Sequence, residues 1–354
     1  MISFHGWARR QYAGRLASIV IGLAMLACSS MASAQQLTVN WYHKQRYLQP
    51  VIDAFTAETG IEVIVTNDYD RLNTDVIFVS DYKSLTETKN FNKFRKLDPE
   101  FFAEMSKVVP AQWRDRDGYW LGVVLRARTA LVNKSMVPEA QRPKSLLELA
   151  DPKWRGRMTI RSASNVYNRS LLAYMIYRYG EPAATRWAQG IVDNFGPEGR
   201  YLGDTPNARA VAEGKFAITF LNTYYLGYLQ TQTGTHSPEM LRQLRDDVAV
   251  VWLDGGKFGL PVNVTGVGIS ADVPAGSERL DQAQKLVAFV LSPRGQALMS
   301  EHTFKYPVRE DVAPSAYLQS FGTFRKDTFD LNELRYLYDD ADRIMEKVGW
   351  KFGN

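Results

Sequence analysis

Short apolar runs alternate with amphipathic segments along nearly the whole chain, separated by helix start and stop signals, and this alternation restricts the fold to the α/β class. Residues 37–41, 61–66 and 75–79 read as strands. Between the first two, Pro50 opens a helix through Phe55 to Glu58 and Gly60 stops it. Residues 120–125 and 128–133 read as two further strands. A short strand at 158–160 is followed by Ser162, Ser164 and Asn165, all suited to capping the helix expected over 167–179. Pro182 begins the next helix, and Asp204 opens another that Gly214 closes. A strand at 216–220 leads through Asn222, as cap, into a helix ending near Leu229. Residues 248–252 and 264–270 are late strands, with helices expected at 281–291, 293–301 and 331–348. The Thr- and Gly-rich stretch 231–237 reads as a mobile loop.

At the amino end, Arg9, Arg10 and Arg15 precede an apolar run over 16–27, and Ala32-Ser33-Ala34 supplies a cleavage pattern before Gln35. Residues 1–34 therefore read as an export signal of Sec or twin-arginine type, and the mature protein is expected in the periplasm. Lipidation at Cys28 is the weaker reading, because Met25-Leu26-Ala27 departs from the usual lipobox. The signal carries three arginines and no acid, so its removal lowers the net charge from +5 to +2 and excludes a nucleic-acid footprint. Cys28 is the single cysteine, which excludes disulfides, zinc–thiolate sites and cysteine nucleophiles from the mature chain. Past the signal no apolar run approaches membrane-spanning length, so a soluble protein is expected.

A mature chain of this size normally builds two domains. The chain reads as changing lobe near 128–134 and again near 264–270, where glycines interrupt an apolar strand. The expected layout is an N-terminal lobe from 35–130 and 264–320, a C-terminal lobe from 131–263, and a C-terminal helical segment over 321–354. Each lobe is expected to hold a mixed, mainly parallel sheet flanked by helices, joined by a two-strand hinge.

Four of the 18 tyrosines stand out by position. Tyr47 lies between the first strand and its helix, Tyr167 at the start of the helix after Ser164, and Tyr224 and Tyr225 in the first turn after a strand. Such strand-to-helix junctions line the ligand crevice of an open α/β sheet, and helix N-termini favour negative charge there. A phenol titrates near pH 10, so gathering phenols for charge makes sense only around a hard, strongly Lewis-acidic cation that displaces their protons. Spacing alone equally fits four unrelated packing residues.

The chain resembles the periplasmic ferric-iron-binding proteins of ABC transporters, in particular the tyrosine-rich FutA-like branch. Similar stretches include Val39-Asn40-Trp41-Tyr42 through Arg46-Tyr47, Arg126-Ala127-Arg128, Ser164-Asn165-Val166-Tyr167-Asn168, Asn222-Thr223-Tyr224-Tyr225 and Val262-Asn263-Val264-Thr265-Gly266. The resemblance implies a type II periplasmic-binding fold whose two lobes close around Fe3+. It further implies Tyr47, Tyr167, Tyr224 and Tyr225 as ligands and an inner-membrane ABC permease as partner. Where some relatives place a histidine before the first ligand tyrosine, this chain has Arg46, leaving a fifth position to water or a small anion. Where relatives often carry an arginine three residues after the tyrosine pair, this chain has Tyr228, so the charge-balancing cation is expected to be Arg46. The stretch 67–74 is too short for the full helix expected there.

His43 is weighed as an auxiliary ligand against a partly exposed polar residue. Ser162, Ser164 and Asn165 are weighed as an oxyanion site, for carbonate or citrate, against ordinary capping. The mixed-charge run Asp98, Arg114, Asp115, Arg116 and Asp117 reads as a solvated face. Trp113, Trp120 and Trp154 read as packing residues. A monomer is expected. The rival readings are the same fold serving an organic solute (a polyamine, thiamine or a sugar) and a periplasmic enzyme with a Tyr or Asp base, for which no catalytic motif is present.

Overall fold

In the computed structural model of the chain, residues 36–67, 74–195, 203–231 and 236–351 are described. The export signal with Cys28, most of the 67–74 stretch and most of the 231–237 loop lie outside them. Strand β1 (Leu37–Trp41) runs between β2 (Val63–Thr66) and β3 (Val76–Val79), parallel to both. Helix α1 (Gln49–Thr59) makes the β1–β2 crossover, with Pro50 in its first turn and Gly60 ending it at φ 72, a conformation that glycine adopts without strain.

Strand β4 (Leu121–Asn133) is one continuous strand of 13 residues, buried at every position, where the sequence suggested two. The charges at Arg126 and Arg128 look like a break in an apolar run, yet both side chains are buried within the strand. Along its first half, Leu121–Ala127 pairs antiparallel with β8 (Val262–Ile269), which also pairs with β3. From Arg128 onward the partners become β6 (Ile218–Asn222) and β7 (Val248–Val251). The short β5 (Met158–Thr159) lies parallel to β6, and β9 (Tyr306–Pro307) adds to β4 at Val124 and Leu125.

The resulting strand order is β2-β1-β3-β8-β4-β6-β5. Three of the strand pairings among the described residues are parallel and five are antiparallel, so the sheets are mixed but not mainly parallel. The excess comes from β4 and β8, which run in opposite directions through the middle of the molecule and make every antiparallel pairing between them.

Two helices absent from the sequence reading follow β3: α2 (Tyr82–Asn90), whose cap Asp81 accepts the Lys83 amide at 2.8 Å, and α3 (Pro99–Met105). The remaining helices are α4 (Val166–Tyr179), α5 (Glu181–Asn194), α6 (Asp204–Ala212), α7 (Tyr224–Thr231), α8 (Pro238–Asp246), α9 (Glu278–Leu291) and α10 (Pro293–Thr303). After α11 (Ala316–Gln319), the helix expected over 331–348 is split into a 3-10 segment, Leu331–Tyr336, and α12 (Tyr338–Lys347). No helix among the described residues is long and apolar enough to cross a membrane.

Trp113, Trp120 and Trp154 are buried in the core. The mixed-charge run is not a solvated face throughout, since Asp115 is buried and takes hydrogen bonds from Lys89 Nζ and the Tyr119 amide, both at 3.0 Å. Arg116 reaches Glu333 at 2.7 Å and so ties this region to the C-terminal segment.

Asp81 links several elements at once. It caps α2, pairs with Arg126 at 3.3 Å with both side chains fully buried, and accepts from Asn263 Nδ2 at 2.8 Å and Ser170 Oγ at 3.2 Å. Burial pushes its carboxyl above the usual range even with Arg126 alongside. Asp81→Ala leaves Arg126 buried without its carboxylate and is expected to cost about 3–5 kcal/mol, read as a lower urea midpoint.

Candidate metal centre

The chain leaves β1 at Trp41 and turns through a 3-10 segment, Gln45–Tyr47, before α1, which sets Tyr47 at the carboxyl end of the first strand. Tyr167 is the second residue of α4, and α7 opens with Tyr224 and Tyr225 two residues past β6. The four tyrosines come together in space. The Tyr224 and Tyr225 rings lie 4.4 Å apart, and Tyr167 is near enough to act electrostatically on both phenols. Tyr47 joins them through Tyr228, whose ring is 4.1 Å from Tyr47 and 5.3 Å from Tyr224. Among the described residues no group of three His, Cys, Asp or Glu could hold a metal ion. A hard cation at this place would therefore meet phenol oxygens.

Cations surround the phenols. Arg46 donates from Nη2 to Tyr47 Oη at 2.9 Å. Arg161 donates to Tyr225 Oη at 3.3 Å while held by buried Asp204 at 2.9 Å. The Arg126 guanidinium lies over the Tyr167 ring at 4.6 Å. Two positions along β4, and therefore on the same face, Arg128 donates to Asn168 Oδ1 at 3.0 Å and to the Phe220 carbonyl at 3.1 Å. The Nε and Nη1 of both β4 arginines are buried without hydrogen-bond partners, and a cavity of ≈ 30 Å³ is lined by these two residues and Tyr167. Lys305, also buried, donates to Tyr42 Oη at 2.8 Å, and that oxygen shares a 2.7 Å hydrogen bond with Thr265 Oγ1.

Burial dominates the protonation of the cluster. It pushes the Tyr224 phenol well above its ordinary value, and the neighbouring Tyr167 and Tyr225 add to the effect. Tyr225 is pushed up for the same reasons. For these two phenols burial opposes the preference for phenolate expected of helix N-termini. Burial, with Lys305 and Arg126 adding, pushes His43 down to about 2, so its imidazole is neutral across the physiological range. The His43 ring packs edge-on against Tyr224 at 5.6 Å, inside the cluster, and its Nε2 is buried without a partner.

Ser162, Ser164 and Asn165 do not cap α4 through their side chains. The two serine hydroxyls bond each other at 2.8 Å, and Asn165 holds the cap position with no side-chain bond to the helix. Asn168 instead reaches back to the carbonyls of Arg161 and Ser162, both at 3.1 Å. The segment ahead of Tyr167 is also fastened from the far end of the chain: Trp350 Nε1 donates to the Arg161 carbonyl at 3.1 Å, and the Ala163 amide donates to the Lys351 carbonyl at 2.8 Å.

Sequence reasoning did not assign Arg126, Arg128, Arg161 or Lys305 to this centre, and it noted Tyr228 only as standing where relatives often carry an arginine. Two arginines at alternate positions of an apolar strand were a usable signal, because that spacing puts both on one face. Lys305 offered none.

Gly227 allows α7 to press directly on Phe304, whose Cγ would lie 2.5 Å from a Cβ at that position. Gly227→Ala is expected to push α7 outward, costing about 1–3 kcal/mol of stability in thermal unfolding and displacing the tyrosine pair.

A model of the bacterial extracellular solute-binding protein family matches residues 73–320. The chain is 32% identical to iron uptake protein A1 of Synechocystis sp., covering 96% of each protein. It is 25% identical to the Fe(3+)-binding periplasmic protein of Serratia marcescens, covering 83% of this chain and 86% of that one. Among solved structures it is similar to Trichodesmium FutA in complex with iron and citrate. The TM-score is 0.78 at 29% identity, over 89% of this chain and 99% of that one. The architecture is that of the two-lobed, type II periplasmic binding proteins. By the family match and by its likeness to these relatives, the chain belongs to the bacterial extracellular solute-binding proteins.

Proposed function

We propose that this protein captures ferric iron in the periplasm on the phenolates of Tyr47, Tyr167, Tyr224 and Tyr225 and delivers it to an ABC-type importer in the inner membrane. The observation that carries the reading is the convergence of phenols from separate segments, with Tyr167 and Tyr225 beside Tyr224 and with Arg46, Arg126 and Arg161 against them. Four phenolates around a trivalent ion leave one net negative charge, and Arg46, Arg126 and Arg161 stand where that charge would sit. The relatives named for iron uptake and ferric binding support the same cargo.

Capture works by displacement. Burial disfavours charge on the Tyr224 and Tyr225 phenols, and Fe3+ replaces the ligand protons as it binds. A small oxyanion such as carbonate or citrate completes the iron's shell, drawn to the unpartnered guanidinium nitrogens of Arg126 and Arg128. Closure is a movement of the two sheets about β4, which stays hydrogen-bonded through the point where its partners change. The permease then recognises the closed protein. No general base, nucleophile or reacting group is required, so the role is binding and delivery, not turnover.

Titrating the protein with ferric citrate is expected to develop the visible phenolate-to-iron charge-transfer band, while a polyamine, thiamine or a sugar leaves it absent. The Tyr224→Phe and Tyr225→Phe double variant should lose the band and stay folded by circular dichroism; full colour in that variant would reject these ligands. Because each ligating phenol gives up a proton, loading is expected to release acid in lightly buffered solution. Affinity for iron should fall as pH drops, since protons then compete for oxygens whose pKa burial has already raised.

A further inference from the structure

Tyr228 has no part in the four-tyrosine reading, yet it stands at the centre of the cluster. It lies four residues after Tyr224 and three after Tyr225, so α7 presents all three from neighbouring positions. Its ring is stacked on Tyr47 with centroids 4.1 Å apart and planes at 20°. Phe304 and His43 meet the same ring edge-on, at 5.8 Å and 5.4 Å. Tyr228 is 6% exposed, and its hydroxyl is buried without a hydrogen-bond partner. Packing of the ring, and not a hydrogen bond, therefore holds this side chain where it is. Tyr47 arrives from the turn after β1, whereas Tyr228 arrives from the helix after β6, and these strands belong to opposite sides of the β4 changeover.

We propose that Tyr228 is the positioning residue for Tyr47: its ring is the plate against which Tyr47 is laid, joining that phenol to the helix that carries Tyr224 and Tyr225. The inference rests on the ferric-tyrosinate reading and deepens it. An offset or parallel pair of this kind fixes ring orientation beyond what burial alone does. Losing it leaves Tyr47 able to ligate but less held in place, so iron should escape faster without a change in the ligand set.

The test separates ring from hydroxyl. Tyr228→Phe, Tyr228→Leu and a control, Tyr224→Phe, are loaded with ferric citrate and then challenged with excess EDTA. Tyr228→Phe is expected to match the parent protein in band position, intensity and release rate. Tyr228→Leu should reach the same band at saturation but release iron about two- to twelve-fold faster, the range into which loss of an aromatic pair converts. Should the leucine variant fail to fold, Tyr228→Met supplies comparable volume without a flat face. The metal-free protein gives an independent readout, because stacking shifts the Tyr47 ring protons upfield in NMR, a shift kept in the Phe variant and lost in the others. A weakened or moved band in Tyr228→Phe makes the hydroxyl a ligand and overturns the proposal. Parent-like release from the Leu or Met variant overturns it as well, and so does a Tyr47 signal there that still matches the parent's. Undiminished colour in Tyr224→Phe instead sinks the underlying iron reading.

Discussion

The unbroken strand β4 is the constraint from which the rest of the molecule follows. It is buried along its whole length, pairs with β8 through Ala127 and passes to β6 and β7 from Arg128. Arg126 and Arg128 straddle this changeover. One is pinned to Asp81 and lies over Tyr167, while the other is held by Asn168 and the Phe220 carbonyl. Positive charge is thereby fixed at the seam between the sheets, where the phenols gather.

That arrangement explains why the cluster can be both buried and chemically useful. Burying phenols keeps them protonated, and burying arginines and a lysine beside them stores the opposite preference in the same space. Under the proposed ferric reading, a trivalent cation that stripped the phenols would resolve the tension, because the new phenolates would find cations already in place. Lys305 is pushed well below its ordinary value by burial and by Arg126, so it too stands to gain from negative charge nearby.

Local rules made much of the fold legible. The Pro50 and Gly60 signals frame α1, and the tyrosine positions at strand-to-helix junctions follow from apolar runs giving way to helix starts. The failures share a cause, which is that tertiary partners override local appearance. Arg126 and Arg128 look like a strand boundary until Asp81 and Asn168 supply their partners from elsewhere in the chain. Ser162 and Ser164 look like caps but bond one another, while Asn168 donates from inside the helix to the carbonyls ahead of it. Asp115 looks solvated until Lys89 covers it. Lys305 carries no pattern at all, since only the folded chain brings it to Tyr42.

The fastening of Arg161 and Ala163 by Trp350 and Lys351 joins two parts of the chain that the ribosome makes far apart in time. The backbone leading to Tyr167 receives that support only after some 180 further residues have been added. The backbone ahead of Tyr167 is in this way coupled to a segment made much later, and a nascent chain stopped short of Trp350 would lack that clasp.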